Sequence, residues 1–448
     1  MDTKLIETQN SVPSSTASSP VLSVHSVNDE FKKPEDLRKK VRLLCESLWH
    51  HLRIQVEAEI KATRSRIFPI VIIGHNGSEE RFIVQLPHVV FEIELTVAIH
   101  GHIQNELGLK TTTPKVVFND SGFDNPLEHP YIIFTRIPGR PLRAAWPKLS
   151  REQRVTLAKG VGALYEELQS IESPYSGLFK VNTDELGRSL EGDVFLEIFG
   201  KEEPHLAEKI DWDAIKDVKD DLLTEQSLRE DVPDMPAKDI ALLAFKRRAF
   251  RSAIASRGWE CQFANPAADV LTSIAAGGSL NDNSICLWHR DVSPKNIMVE
   301  VDTDGNPRIS GLLGWEGSGF APRFMTCRPP QWLWTRVRGK AVSFAPVPYD
   351  DSPADTKGYP EVDEEPFVTL EPTSAEAKEL KKAFDEAVGK SFTAVAYDSY
   401  LIIARRLMHV AVCSVWEHNH ISEVEAVLEE WKQQQLAEEF WDKGNIED

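Results

Sequence analysis

The chain is 448 residues long, 41% hydrophobic and 27% charged, the make-up of a soluble globular protein with room for two or three lobes or domains. Its 70 acidic residues exceed its 51 basic ones, and the formal net charge of -19 disfavours both nucleic-acid binding and a basic membrane-facing surface. The five dispersed cysteines, Cys45, Cys261, Cys286, Cys327 and Cys413, form no C-x-x-C pair, and no uncharged apolar run reaches bilayer length, so reduced thiols and a cytoplasmic location are expected.

In chain order, residues 1–30 are rich in Ser, Thr, Pro and Asn and read as a disordered tail. From Pro34 to about Thr63 the spacing of Leu37, Val41, Leu44, Leu48 and Leu52 predicts a helix. Phe68–Ile73 and Arg81–Leu86, joined through Asn76 and Gly77, read as a hairpin. A helix follows over Phe91–Leu109, with Ile93, Val97 and Ile103 on one side. Lys115–Phe118 and Tyr131–Phe134 complete a small antiparallel sheet, and Ile137–Gly139 marks the crossing out of it. Ser150–Gln153 is a capping box that opens a helix with Val155, Ala158, Val161, Leu164 and Leu168 as its apolar stripe. Residues 180–280 are expected to be a helical insertion, including helices at 206–223 and 237–257. Residues 319–349 read as an aromatic loop and 349–367 as an exposed acidic linker. Capping boxes at Thr373–Glu376 and Ser422–Glu425 start two further helices, and Tyr400–Trp416 lies between them as an apolar one. Val424, Leu428, Trp431 and Phe440 are expected to dock the last helix.

The stretch from Cys286 to Glu316 carries the chemistry. Ile297, Val299 and Val301 alternate as in a half-buried strand, Asp304 and Gly305 supply a turn, and Arg308–Leu313 return. A tight hairpin fixes the distance between its ends, so the loops before and after it should face each other. The leading loop holds His289, Asp291 and Asn296 in the pattern H-x-D-x-x-x-x-N, the spacing of a kinase-type catalytic loop. There the aspartate accepts the proton of a substrate hydroxyl and the asparagine holds magnesium.

With the hairpin and the following G-x-x-x-W-E, this segment resembles the aminoglycoside phosphotransferase family, most closely the phosphotransferase-like branch common in fungi. Tyr131–Gly139 resembles the family's linker between lobes, and the likeness extends over roughly residues 60–435. The resemblance implies an α+β, protein-kinase-like two-lobed fold. A small antiparallel-sheet N-lobe would span 34–136, and a mostly helical C-lobe 137–440. It implies ATP and Mg2+ as cofactors, with nucleotide and a small-molecule acceptor as ligands, and leaves room for a protein partner. Asp291 and His289 would be the catalytic-loop residues, His289 bracing the backbone, while Asn296 and Glu316 would face the metal.

Around the nucleotide, the resemblance places Gln85 where the family has a phosphate-pairing base, Glu94 where it has that base's acidic partner, and Arg136 in the linker beside the base. Lys295 would offer a phosphate replacement charge. The family's metal-binding aspartate of D-W-E is Gly314 here, and no glycine precedes Gly74 to form a phosphate-covering loop. The expected function is therefore that of a catalytically impaired, pseudokinase-like binding or regulatory module. An active ATP-dependent phosphotransferase on a small hydroxyl compound is the alternative, and a cleft that binds nothing is the third reading.

Overall fold

A computed structural model describes residues 34–61, 65–87, 92–183, 189–197, 239–240, 242, 258–334, 338–339, 342–343, 372, 374–412 and 418–444. The expected tail, the acidic linker, the helix at 206–223 and nearly all of that at 237–257 lie outside the described residues, as do Cys413 and the side chains of Cys261 and Phe440.

The first lobe is built on a twisted antiparallel sheet. Its strands are β1 (Arg53–Val56), β2 (Ile60–Lys61), β3 (Ser65–Ile73), β4 (Glu79–Pro87), β5 (Val116–Asp120) and β6 (Tyr131–Thr135), in the order β1-β3-β4-β6-β5, with β2 also on β3. β3 and β4 form the expected hairpin, in register from Ser65 opposite Pro87 to Ile73 opposite Glu79. Gly77 turns it at a φ of 79°, a left-handed conformation that favours glycine.

Side chains alternate across a strand, so the two faces of this sheet take different partners. Helix α1 (Pro34–Leu48) packs Leu37, Val41 and Leu44 against one face, on Phe68, Ile70, Phe82, Val84 and Ile133. Helix α2 (Glu92–Asn105) packs Ile93 against Ile132 and Phe134 on the other. One expectation is corrected here. The helix foreseen to about Thr63 stops at Leu48, His51 reverses the chain at a φ of 68°, and Arg53–Val56 pairs with Ile73–Ile70. Leu52 had extended the helical spacing and concealed the strand alternation of Ile54 and Val56 that follows it.

The second lobe is mainly helical. Helix α3 (Arg151–Ser170) begins with the expected capping box, Ser150 accepting from the Gln153 backbone, and buries Leu157, Ala158, Val161, Leu164 and Leu168. It packs on α5 (Ala375–Val388) so closely that a Cβ at Gly162 would lie 2.7 Å from that of Ala387. Helix α4 (Gly258–Ala276), α6 (Lys390–Ala396), α7 (Ser399–Val412) and α8 (His418–Gly444) complete this layer. Val424 of α8 is fully buried, with Leu428 and Trp431 packed beside it.

Three boundaries differ from expectation. The region after residue 177 opens with strands β7 (Gly177–Thr183) and β8 (Ser189–Glu197) where a helical insertion was expected. Ser374, not Thr373, caps α5 by accepting from Ala377, and α8 begins at His418, ahead of the Ser422 box. An N-cap is decided by which hydroxyl reaches the free backbone N–H groups, and two neighbouring hydroxyls look alike in sequence.

The two lobes meet through more than the linker. Glu167 of α3 accepts from the backbone N–H groups of Lys110 and Thr111 and from the Thr111 hydroxyl. The next carbonyl, of Thr112, receives the Leu312 N–H at 3.0 Å. A Cβ at Gly311 would approach that carbonyl to 2.5 Å, so the close crossing requires glycine. This is the α+β, two-lobed, protein-kinase-like arrangement. Among the described residues no helix is long and apolar enough to cross a membrane.

Candidate functional site

The central hairpin forms as expected from β9 (Ile285–Trp288), β10 (Ile297–Val301), β11 (Pro307–Leu312) and β12 (Gly319–Pro322). β10 pairs with β11 from Ile297–Leu312 to Val301–Pro307, and Gly305 turns the chain at a φ of 85°. β9 pairs with β12, which closes the frame on the outer side; this second pair replaces the start of the loop expected from residue 319. The leading loop, 289–296, and the trailing loop, 313–318, therefore lie side by side. The Leu313 N–H donates to the Asn296 carbonyl at 2.8 Å.

His289 is the post between them. It is 1% exposed; its Nε2 lies 2.9 Å from the Leu313 carbonyl, and its Nδ1 is 3.3 Å from the Asp291 N–H. A ring that donates at Nε2 and accepts at Nδ1 is neutral. Burial holds its pKa down at about 4, against a weaker upward pull from Asp291. Trp315 stands edge-on to it at 4.5 Å, fully buried, with its indole N–H on the Leu312 carbonyl. His289 is thus a brace across the two loops, out of reach of solvent.

Asp291 and Asn296 are half-buried, with the Asp291 side chain 39% exposed. One Asp291 carboxylate oxygen takes the Lys295 ammonium at 2.9 Å and the Asn296 side-chain N–H at 2.9 Å. The same amide nitrogen also donates to the Asp291 carbonyl at 2.9 Å. Burial raises the Asp291 carboxyl, but the hydrogen bonds of Lys295 and Ser293 and the Lys295 charge together outweigh it and keep the group below its ordinary value. The loop is tied down from outside by Arg143, whose N–H donates to Pro294, and by Trp332, whose indole donates to Val292.

Gly314 lies directly against this group. Its φ is 77°, and a Cβ there would meet the Asn296 amide at 2.7 to 3.0 Å. The residue standing for the family's metal-binding aspartate is therefore at the site and supplies no oxygen from a side chain. Glu316, two residues on, is exposed, and Trp315 between them points into the core. Among the described residues no group of three or more His, Cys, Asp or Glu side chains is placed to hold a metal.

Magnesium prefers hard oxygen ligands arranged as a near-ideal octahedron. The group here offers one carboxylate already paired with an ammonium and, since the Asn296 nitrogen is turned to that carboxylate, a single neutral amide oxygen, with no side-chain oxygen from Gly314. These residues do not fit the ion that Asn296 and Glu316 were expected to hold.

At the other end of the cleft the expected residues are dispersed. Gln85 sits mid-strand on β4, between Ile67 and Ile132, half-buried and uncharged. Arg81, two pleats away on the same face, is paired with Glu79 at 3.2 Å and stays at the strand's far end. Glu94 lies half-buried in the first turn of α2. Arg136 follows β6 and places one guanidinium nitrogen 3.0 Å from each carboxylate oxygen of Glu57.

By alternation from Val56, Ile70 and Phe82, which face α1, Glu57 and Arg136 fall on the opposite face, the one shared with Ile83 and Phe134. Nothing in the sequence pointed to Glu57. Its partner is 79 residues away, and only the curl of the sheet brings the two together. Sequence reasoning likewise missed the strand pair β1/β2 on β3, which stands where a glycine-rich hairpin was sought and contains no glycine.

A family model described as "Phosphotransferase enzyme family" matches residues 68–325. Among solved structures, the streptomycin–ATP–APH(2″)-IIa ternary complex aligns over 88% of this chain and 94% of its own, at 12% identity and a TM-score of 0.39. The GDP and kanamycin complex of APH(2″)-IIIa aligns over 88% of this chain and 98% of its own, again at 12% identity and 0.39. No curated protein matches the sequence.

Proposed function

The chain belongs to the phosphotransferase enzyme family, and from that premise we propose that it is a nucleotide-binding member in which phosphoryl transfer is impaired, a pseudokinase-like module. The observation that carries this reading is the approach of Gly314 to Asn296, with Lys295 already on Asp291. Phosphoryl transfer is mostly positioning together with cations that balance charge on the transferred group. When bound, a divalent ion supplies that balance in such enzymes, and this chain's donor set does not fit one. Each factor of ten in rate corresponds to about 1.4 kcal/mol of barrier, so losing a main metal ligand removes several powers of ten.

The leading loop is fixed by His289, Arg143 and Trp332, which supports a retained ability to position a ligand. The reading also places the protein in the cytoplasm, in keeping with its buried free thiols Cys45, Cys286 and Cys327.

A second reading, an active ATP-dependent phosphotransferase acting on a small hydroxyl-bearing acceptor, is favoured by one feature. Asp291 is held ionised at the cleft, as a proton acceptor must be. The test is to measure the ATP-induced rise in Tm alongside ATP turnover across a panel of hydroxyl compounds. The expected outcome is a thermal shift without turnover. Turnover that disappears in Asp291→Ala would replace the first reading with the second, and no shift with any nucleotide would sink both.

A further inference from the structure

The disagreement between the site and a divalent ion has a positive side. The catalytic-loop carboxylate does not stand empty-handed: Lys295 places its ammonium 2.9 Å from Asp291 Oδ2, four residues on in the same loop. The Asp291 carboxylate is thus already engaged by a cation of the protein's own. An ammonium has three donors and no acceptor. One is spent on Asp291, and the side chain is 58% exposed, which leaves the others open to a ligand. Asn296 reinforces the arrangement, since its amide nitrogen donates to the same carboxylate and to the Asp291 carbonyl. At Gly314 there is no oxygen to pull that amide round, and its backbone already lies against it.

We infer that Lys295 is the resident cation of this site, and that the cleft takes a phosphate-bearing anion directly on this ammonium with no divalent ion between them. This rests on the reading of the cleft as phosphate-handling and adds the form in which the ligand binds. Lysine suits the role because it is a compact, strongly hydrated point charge that binds phosphate without a fixed fork geometry. Asp291 then acts as the group that positions the ammonium. The proton-accepting role of a kinase aspartate is blocked on the oxygen that both Lys295 and Asn296 occupy.

The experiment is calorimetric titration of the full chain with inorganic tripolyphosphate, in EDTA and in magnesium. Tripolyphosphate is used because it has the anionic part of a nucleotide and no base. Binding is expected in EDTA and unchanged or weaker in magnesium, because the metal complex of the ligand is less negative. Lys295→Gln is expected to weaken binding in EDTA roughly tenfold, the scale of one charge-assisted hydrogen bond, and Lys295→Arg to restore most of it. Lys295 is exposed, so both variants are expected to melt with the parent protein.

Binding that requires magnesium, an unaffected Lys295→Gln variant, or no binding in either buffer would overturn the inference. The two proposals fail separately. ATP that binds only with magnesium and is not turned over keeps the impaired-module reading and removes the resident cation. Metal-free tripolyphosphate binding in a protein that turns ATP over briskly does the reverse.

Discussion

The loop before the central hairpin and the loop after it lie a hydrogen bond apart and share one buried histidine, yet they are held in different ways. The leading loop uses polar side chains on itself: Asn296 and Lys295 converge on Asp291. In the trailing loop the polar contact runs across to the other loop, Ser318 Oγ donating to the His289 carbonyl at 3.5 Å. The trailing loop itself is shaped by two left-handed glycines, Gly314 and Gly317, and by Trp315, fully buried against His289. On the proposed reading, the shape of a metal-bearing loop and its ability to bear metal are separable. Packing and backbone conformation set the first; a single side chain sets the second.

The most severe way to break this comparison is to remove the packing. Trp315→Ala deletes a fully buried indole and is expected to destabilise the fold by about 3–5 kcal/mol, read from urea unfolding. Asp291→Ala breaks a partly exposed ion pair and is expected to cost less than about 1 kcal/mol. The opposite ranking would mean that the polar group, not the tryptophan, holds the loops together.

Acid probes the shared histidine. Burial holds both His289 and the similarly enclosed His100 of α2 down at about 4, from an ordinary 6.5. As pH falls below about 6.5 the unfolded chain takes up these protons while the fold refuses them until about 4. Their contribution is therefore intact above about pH 6.5 and is lost as pH drops across that window, by up to about 3 kcal/mol per histidine. Urea midpoints between pH 7 and 4.5 measure the slope, and His289→Gln should flatten roughly half of it. An unchanged slope would show that His289 is not the group that titrates.

Gly314 sharpens the comparison with the smallest effect. Any L side chain there adopts a left-handed backbone and displaces the Asn296 amide, so Gly314→Ala is expected to lose about 1–2 kcal/mol. Gly314→Asp should lose no more than that, because Asp enters this region more readily than most residues. It should also gain a magnesium-dependent rise in Tm that the parent protein lacks. A parent protein that already responds to magnesium would erase the distinction between the loops.

Much of this could be read in the linear order of residues, and the reason is range. The β3–β4 hairpin, the α3 capping box and the β10–β11 hairpin each depend on neighbours within a few residues, where alternation, turn glycines and capping hydroxyls leave direct marks. The pattern H-x-D-x-x-x-x-N and the missing acid at Gly314 belong to the same class. Readings failed where a local signal ran on into a region with another fate. Leu52 prolonged a helical stripe past Leu48, and the strand that begins at Gly177 pairs with Gly319–Phe320, more than a hundred residues away.

The linear order alone gave the two-lobed class, through the resemblance carried by its motifs, and, by short-range pattern, the position of the leading loop and the glycine that stands for an acid at position 314. Only the tertiary structure decided that Arg136 is engaged by Glu57, that His289 is a neutral brace and that Lys295 neutralises Asp291. Charge states and ion pairs depend on burial and on distances of a few ångströms. Those are fixed when sheet, linker and helices close on one another, and residue spacing does not encode them.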